Sequence, residues 1–222
     1  MIIIPTLIFI LLALLVIFKS TNWKIFLISG VVLFIWFGGV VWLGKLGFFA
    51  KNPLFAPNIL LAFLILFDIL RRLLSSTAIK NFVESVSIPL LTVIQTYRIM
   101  GYVFFTLYQQ QLLPAIFAFP AGIGDIIVGV TAPIVAIIYF LKKPYAKQTV
   151  FIWNIIGIID LIIALGVGIL VFPRPVQFIP MAISTEQFSL YPLVMIPLFA
   201  VPISLVLHLI GLRALKRSVK FN

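Results

Sequence analysis

Three ionisable side chains lie near the middle of three consecutive apolar segments, and they are the residues of this chain best placed to do chemistry. They are Arg98, Asp125 and Asp160. A charge at the centre of a bilayer costs at least about 2.5–3.5 kcal/mol on insertion scales, so it is tolerated only when it is paired, hydrated or functional. We therefore predict that the three side chains form one buried site near the membrane midplane.

The charge balance of this site indicates what it could bind. If both carboxylates ionise, a single guanidinium leaves one negative charge uncompensated, which is costly in a low dielectric. Either one carboxyl group stays protonated or a cation occupies the site. Asp125 and Asp160 are thus predicted to bind a proton or a cation, with Arg98 as their counter-ion or as an anion-binding group. The alternative is a purely structural Arg–Asp tie between helices.

Helical spacing places further polar side chains near the three charges. Gln95, Arg98 and Tyr102 follow one another at i, i+3 and i+7, which predicts a single polar face on an α-helix. Asn154 lies nearly two turns before Asp160. Gln95, Asn154 and Tyr102 are accordingly predicted as secondary polar contacts of the site.

Each aspartate also shares a helical face with small residues, which let helix backbones approach closely in lipid. Pro120 and two glycines precede Asp125 in FAFPAGIGDIIVG and predict a kinked or broken helix. Broken helices present their ends to substrates in many transporters, whereas a simple proline kink is the alternative. The predicted hinge and packing positions are Pro120, Gly122, Gly124, Gly129 and Gly157.

The amino-acid composition indicates that lipid surrounds the predicted helices. The chain has 222 residues, of which 64% are hydrophobic and 9% charged, against about 45–50% and about 25% in soluble proteins. Lipid must therefore solvate most of the surface. We predict an all-α transmembrane bundle of about seven helices that forms a single domain over residues 1–222. The predicted spans are about 2–18, 23–43, 57–70, 88–108, 113–141, 150–171 and 190–212.

The basic residues predict an orientation. Only Lys45, Lys51 and Arg174 fall between spans on one side of the membrane. The positive-inside rule then places the N-terminus outside and the C-terminus in the cytoplasm. The basic residues on the predicted cytoplasmic side are Lys19, Lys24, Arg71, Arg72, Lys80, Lys142, Lys143, Lys147, Arg213, Lys216, Arg217 and Lys220.

The sequence lacks the residue sets that several classes of enzyme and metalloprotein require. Cysteine is absent, and the lone histidine, His208, is poor support for a metal or haem site. We find no HExxH, no Ser–His–Asp set and no phosphate-binding glycine loop. We therefore expect no cofactor, no metal and no enzymatic activity. The net charge of +11 comes mainly from basic residues on the predicted cytoplasmic side of the membrane, so no nucleic-acid partner is expected either.

Four segments together resemble a bacterial family of uncharacterised multi-pass membrane proteins. They are QTYRIMGYVFF, LPAIFAFPAGIGDIIVGVTAP, WNIIGIIDL and PLVMIPLFAVPISLVLHL, within residues 95–212. The resemblance implies a bacterial inner (plasma) membrane location and adds no ligand.

The residues favour a transporter or channel for a small solute or ion over two alternatives. One alternative is a non-transporting membrane subunit or assembly factor with structural buried charges, and the other is a membrane-embedded enzyme. A water-lined path from both faces to Asp125 would favour transport. A dry, fully bonded site would favour the structural role, and a one-sided cavity with a lipid-facing opening would favour the enzyme.

Overall fold

The described part of the chain is helical, and the prediction of an all-α fold with seven helices is confirmed. The computed structural model describes residues 3–20, 23–75, 83, 86–175 and 177–218, and these residues contain no strand. The helices are α1 (Ile3–Ser20), α2 (Trp23–Lys45), α3 (Phe55–Ser75), α4 (Ile88–Gln109), α5 (Ala115–Phe140), α6 (Ala146–Leu170) and α7, a π-helical turn (Ile196–Ala200) continued by an α-helix (Val201–Ser218).

Four of these helices, α4 to α7, are long and apolar enough to cross a membrane. Two shorter apolar stretches lie in α2 and α3, at Gly30–Lys45 and Phe55–Ile69. Because so much apolar helix needs lipid as its solvent, the fold indicates a membrane protein.

Some helix bounds differ from the predicted spans. The third helix covers Phe55–Ser75 rather than residues 57–70. The seventh begins at Ile196, and residues 191–194 before it form a turn in which the Met195 amide bonds to the Pro192 carbonyl at 3.1 Å. This turn is as apolar as the helix after it, so hydropathy does not mark where α7 starts. Of the residues used for orientation, Lys80 and Lys220 lie outside the described residues.

Helix α5 is the central element of the bundle, packed against α4 on one side and α6 on the other. Glycines let the backbones of α4 and α5 touch. A Cβ on Gly129 would lie 2.5 Å from the backbone nitrogen of Ile99, and a Cβ on Gly101 would lie 3.1 Å from the carbonyl oxygen of Gly122. This close approach of the backbones brings Arg98 on α4 near Asp125 on α5.

Of the two forms predicted for α5, a kinked helix and a broken one, the broken helix is not found. The α-helix runs without interruption from Ala115 to Phe140, through Pro120 and Pro133. Pro120 removes one backbone donor in the second turn, and packing on both sides of α5 keeps the helix together. The irregular backbone lies instead in α4, where Gln95–Gly101 is a 3-10 helix, and in the π turn of α7.

Three interhelical connections lie at the same end of the bundle, which we name the Arg174 end. An Arg174 Nη2 donates to the Ala50 carbonyl at 3.2 Å and to Glu186 Oε1 at 2.5 Å, which joins the α2–α3 and α6–α7 connections. The rings of Phe104 and Phe188, with centroids 6.1 Å apart, bring the end of α4 to the same place. The α5–α6 connection lies at the opposite end, which we name the Lys143 end.

The α4–α5 contact can be tested with a pair of glycine variants. Gly129→Ala should lower the free energy of unfolding by about 1–3 kcal/mol, because its methyl group meets backbone that cannot move away. Gly166→Ala in α6 is the matched control, since a Cβ there meets nothing within 4 Å. Thermal melting of the purified variants in detergent measures both. Equal melting temperatures for the two variants would contradict the packing described here.

Candidate functional site

The guanidinium of Arg98 lies at the centre of the site and joins both carboxylates. Arg98 is 2% exposed. Its Nε donates to Asp125 Oδ1 at 2.6 Å, and its Nη2 donates to Asp160 Oδ2. The structure therefore brings the three charges of α4, α5 and α6 into direct contact.

The remaining guanidinium nitrogen extends the network to α7. Arg98 Nη1 donates to the Gly157 carbonyl at 3.4 Å and lies 3.2 Å from His208 Nε2. Because arginine only donates, His208 Nε2 accepts, and His208 Nδ1 then donates to Asn154 Oδ1 at 2.9 Å. Asn154 Nδ2 donates to the Val150 carbonyl at 2.8 Å, which fixes the amide orientation. This pattern assigns a neutral imidazole with its proton on Nδ1.

His208 is the site residue that sequence reasoning passed over. From the sequence, His208 is considered only as a metal or haem ligand and is set aside, whereas in the structure it accepts a hydrogen bond from a buried arginine. A usable signal existed, because Ser204, His208 and Gly211 are spaced at i, i+4 and i+7 along one face of α7. The face carries polar or small residues like the faces of α5 and α6, and Ser204 and His208 are both buried.

Two glycines make room for side chains of the site. A Cβ on Gly124 would collide with the carboxylate of Asp160, and a Cβ on Gly157 would collide with the imidazole of His208. Any larger residue at either position would push a polar group of the site out of place. Small residues on α5 and α6 therefore serve the charged network as well as helix packing.

The 3-10 geometry of α4 changes which side chains share the face of Arg98. Residues advance by about 120° in a 3-10 helix and by about 100° in an α-helix, so positions three apart are eclipsed. The buried residues of this segment are Gln95, Arg98 and Gly101. Tyr102, predicted on that face, is instead 38% exposed.

Gln95 lies beside the site and connects α4 to α7 one turn toward the Lys143 end. Its side chain is fully buried, and its Nε2 donates to the Ser204 carbonyl at 3.2 Å. Tyr97 adds a second link, because its hydroxyl bonds to the Ser204 hydroxyl and lies 3.4 Å from the Ala200 carbonyl. These contacts hold α7 against the 3-10 segment that carries Arg98.

Two small cavities meet at Asp125. Each has a volume of about 70 Å³. The first lies toward the Arg174 end among α3, α5, α6 and α7, and the second lies among α1, α4 and α7. The side chains of Asp125 and Asp160 are 21% and 12% exposed, whereas that of Arg98 is 1% exposed. Asp125 thus faces water-sized space in both cavities, Arg98 borders only the second, and Asp160 lines neither. Both cavities are lined by Phe104, Asp125, Leu161, Ile196 and Val201.

The site is covered toward the Lys143 end. His208, Trp153 and Val150 lie on that side and are 1%, 6% and 0% exposed. Trp153 packs against His208 with ring centroids 5.1 Å apart and donates from Nε1 to the Thr131 hydroxyl at 2.9 Å. His208, Trp153 and Val150 line neither of the two cavities that reach Asp125.

The arrangement suits the binding of a positive charge. Two carboxylates and one guanidinium carry a net negative charge when both acids are ionised. Among the described residues no group of His, Asp and Glu side chains is placed to hold a metal ion. In this site the guanidinium occupies the space between the two acids. A proton or a cation at the exposed edge of Asp125 would neutralise the site.

Removing the central cation should be far more costly than removing a surface arginine. Arg98→Ala is expected to cost about 3–5 kcal/mol of stability, because two buried carboxylates lose their partner. Arg72→Ala is the control. Arg72 binds Asp68 at 2.7 Å with side chains 72% and 46% exposed, and such pairs contribute about 0–1 kcal/mol. Melting temperatures of both variants in detergent decide the point. A mild effect of Arg98→Ala would show that the site does not hold the helices together.

Comparison with known proteins identifies a family. A family model described as a domain of unknown function (DUF8737) matches residues 54–216. No curated protein and no solved structure matches the chain. The match agrees with the expected resemblance to an uncharacterised family, and it includes α3 as well as the helices that carry Arg98, Asp125, Asp160 and His208. Because the match extends over more than half of the sequence, the chain belongs to the DUF8737 family.

Proposed function

We propose that this protein transports or conducts a small cation across a membrane, with Asp125 and Asp160 as the binding carboxylates and Arg98 as their counter-ion. The observation that carries the proposal is the position of Asp125, which is bonded to a buried guanidinium and also faces both cavities. In this account the site holds either one proton or one cation, and exchange between them moves charge.

The geometry favours a cation over an anion. Arg98 directs its nitrogens at Asp125, Asp160, Gly157 and His208, and its side chain is only 1% exposed. Four of its five N–H groups donate to these neighbours, and an anion would meet two acids beside the remaining one. We therefore assign Arg98 as counter-ion rather than as an anion-binding group.

The helix irregularities supply candidate moving parts. The 3-10 segment of α4 carries Arg98, and the π turn of α7 begins two residues after Val194. A 3-10 stretch inside a helix, as in α4, often marks a functional hinge, and π turns are frequent at functional sites. Movement of α7 would carry His208 away from the site and open it toward the Lys143 end. That step would give the access from the Lys143 end that alternating access requires.

One observation favours the second candidate, a structural subunit or assembly factor. All three guanidinium nitrogens are bonded, and the ties from Arg98 reach α5, α6 and α7. A membrane-embedded enzyme would suit a one-sided cavity. However, the hydroxyl that lines the first cavity, Thr185 Oγ1, donates to the Gly168 carbonyl at 2.6 Å rather than to a base. We rank the enzyme third.

A flux assay separates transport from scaffolding. Proteoliposomes should take up protons or monovalent cations when an inside-negative potential is imposed. Asp125→Asn should reduce the rate to that of empty liposomes, because the exposed carboxylate is lost. Asp68→Asn, which removes an acid at the exposed α3 pair, should keep the wild-type rate. Wild-type protein at the empty-liposome rate would contradict the proposal, as would full activity of a folded Asp125→Asn variant.

Orientation and location belong to the same proposal. We place the Lys143 end in the cytoplasm by the charge bias of the loops, and the chain in the bacterial inner membrane by its resemblance to a bacterial family. Since the chain has no cysteine, single cysteines report sidedness without background. Gln110→Cys should react with a membrane-impermeant maleimide in intact cells, and Lys143→Cys should react only after permeabilisation; both positions are exposed. The reverse pattern would invert the orientation.

A further inference from the structure

Five phenylalanine rings are among the side chains that line the first cavity. Its phenylalanines form a trio and a pair, and we name it the phenylalanine cavity. Within the trio the Phe117 ring lies 5.4 Å from Phe104 and 4.8 Å from Phe188, and in the pair the Phe55 and Phe172 rings lie 5.3 Å apart. The cavity is lined by all five rings and by Asp125.

This lining is a poor match for an inorganic cation. A bare metal ion needs several oxygen ligands to replace its water, and burial without them is strongly unfavourable. The side chains that line the phenylalanine cavity offer the Asp125 carboxylate and the Thr185 hydroxyl, and that hydroxyl already donates to a backbone carbonyl. A hydrated ion would have to bring its water among phenylalanine rings.

An organic ammonium ion meets both features of the cavity. Alkyl substituents spread the positive charge over methyl groups that need no acceptors, and aromatic faces attract such cations. The carboxylate of Asp125 supplies the opposite charge where the two cavities meet. Each cavity has about 70 Å³, and they share five lining residues. An apolar cavity of about 150 Å³ in another protein accepts benzene, so a compact ion with a few carbons would occupy both cavities, whose volumes together are of that order.

We propose that the phenylalanine cavity binds a small organic ammonium ion with alkyl substituents, with Asp125 as its counter-ion and the ring faces around its methyl groups. This inference rests on the proposed function, because it names the class of cation that the same carboxylate takes.

Binding is measured by titration calorimetry on the full chain in a maltoside detergent, at constant ionic strength. Tetramethylammonium should bind about tenfold more tightly than Na⁺, given the added ring contacts. Choline should bind, and its neutral isostere 3,3-dimethylbutan-1-ol should not, because the charge is required. Equal binding of the neutral isostere would overturn the proposal, since the cavity would then be a simple apolar site.

Variants separate the rings from the charge. Phe117→Leu keeps the cavity apolar and should weaken tetramethylammonium about fivefold, as loss of a cation–π contact predicts. The control is Phe151→Leu on α6, whose ring is 52% exposed on the outer surface, and it should change nothing. Asp125→Asn should abolish binding of every cation. If that variant does not fold, the Phe117 variant and the choline pair still decide the question.

The outcomes distinguish this inference from the proposed function. Tighter binding of Na⁺ or K⁺ than of tetramethylammonium would overturn the organic class and leave the cation site standing. If Phe117→Leu kept the wild-type affinity for tetramethylammonium, the proposed contact between the ring faces and the ion would be wrong. Absence of any cation binding, together with absence of flux in liposomes, would overturn both proposals.

Discussion

The rest of the structure depends on satisfying one buried guanidinium. Arg98 is 2% exposed in a bundle whose helices are apolar, so its charge must be neutralised from within the protein. Asp125 on α5 and Asp160 on α6 supply the opposite charge, and His208 on α7 accepts from the third nitrogen. These contacts determine which faces of the helices meet. They also explain the glycines at 124 and 157, which leave room for the Asp160 carboxylate and the His208 ring.

The same constraint creates the feature that we connect with function. The single guanidinium balances the charge of only one of the two acids, so the site lacks one positive charge when both acids are ionised. Asp125 lies where the two cavities meet, on the side away from His208 and Trp153. A purely structural tie would not require the second acid to face accessible space. The second acid beside this cavity must carry either a proton or an unbalanced charge, and this is the basis of our proposal that the site binds a cation.

Sequence patterns predicted the parts of the site that rest on regular helices. Asp125 and Asp160 lie on α-helices that follow the 3.6-residue period, so their small-residue stripes indicated the facing sides correctly. Tyr102 was misplaced because the 3-10 turn before it changes the period, and no residue type in that segment announces such a turn. The start of α7 was placed too early, since residues 190–195 are as apolar as the helix. His208 was missed because a lone histidine was weighed only as a ligand, whereas its partner is a buried arginine.

The central claim is that a cation replaces a proton on the carboxylates around Arg98, and infrared difference spectroscopy of the purified protein tests it most directly. Addition of tetramethylammonium or Na⁺ to wild-type protein should decrease a protonated-carboxyl absorption and increase a carboxylate absorption. The change should be absent in Asp125→Asn and unaltered in Asp68→Asn. If neither cation changes the carboxyl absorptions of the folded wild-type protein, the site around Arg98 is a structural tie and the account is wrong.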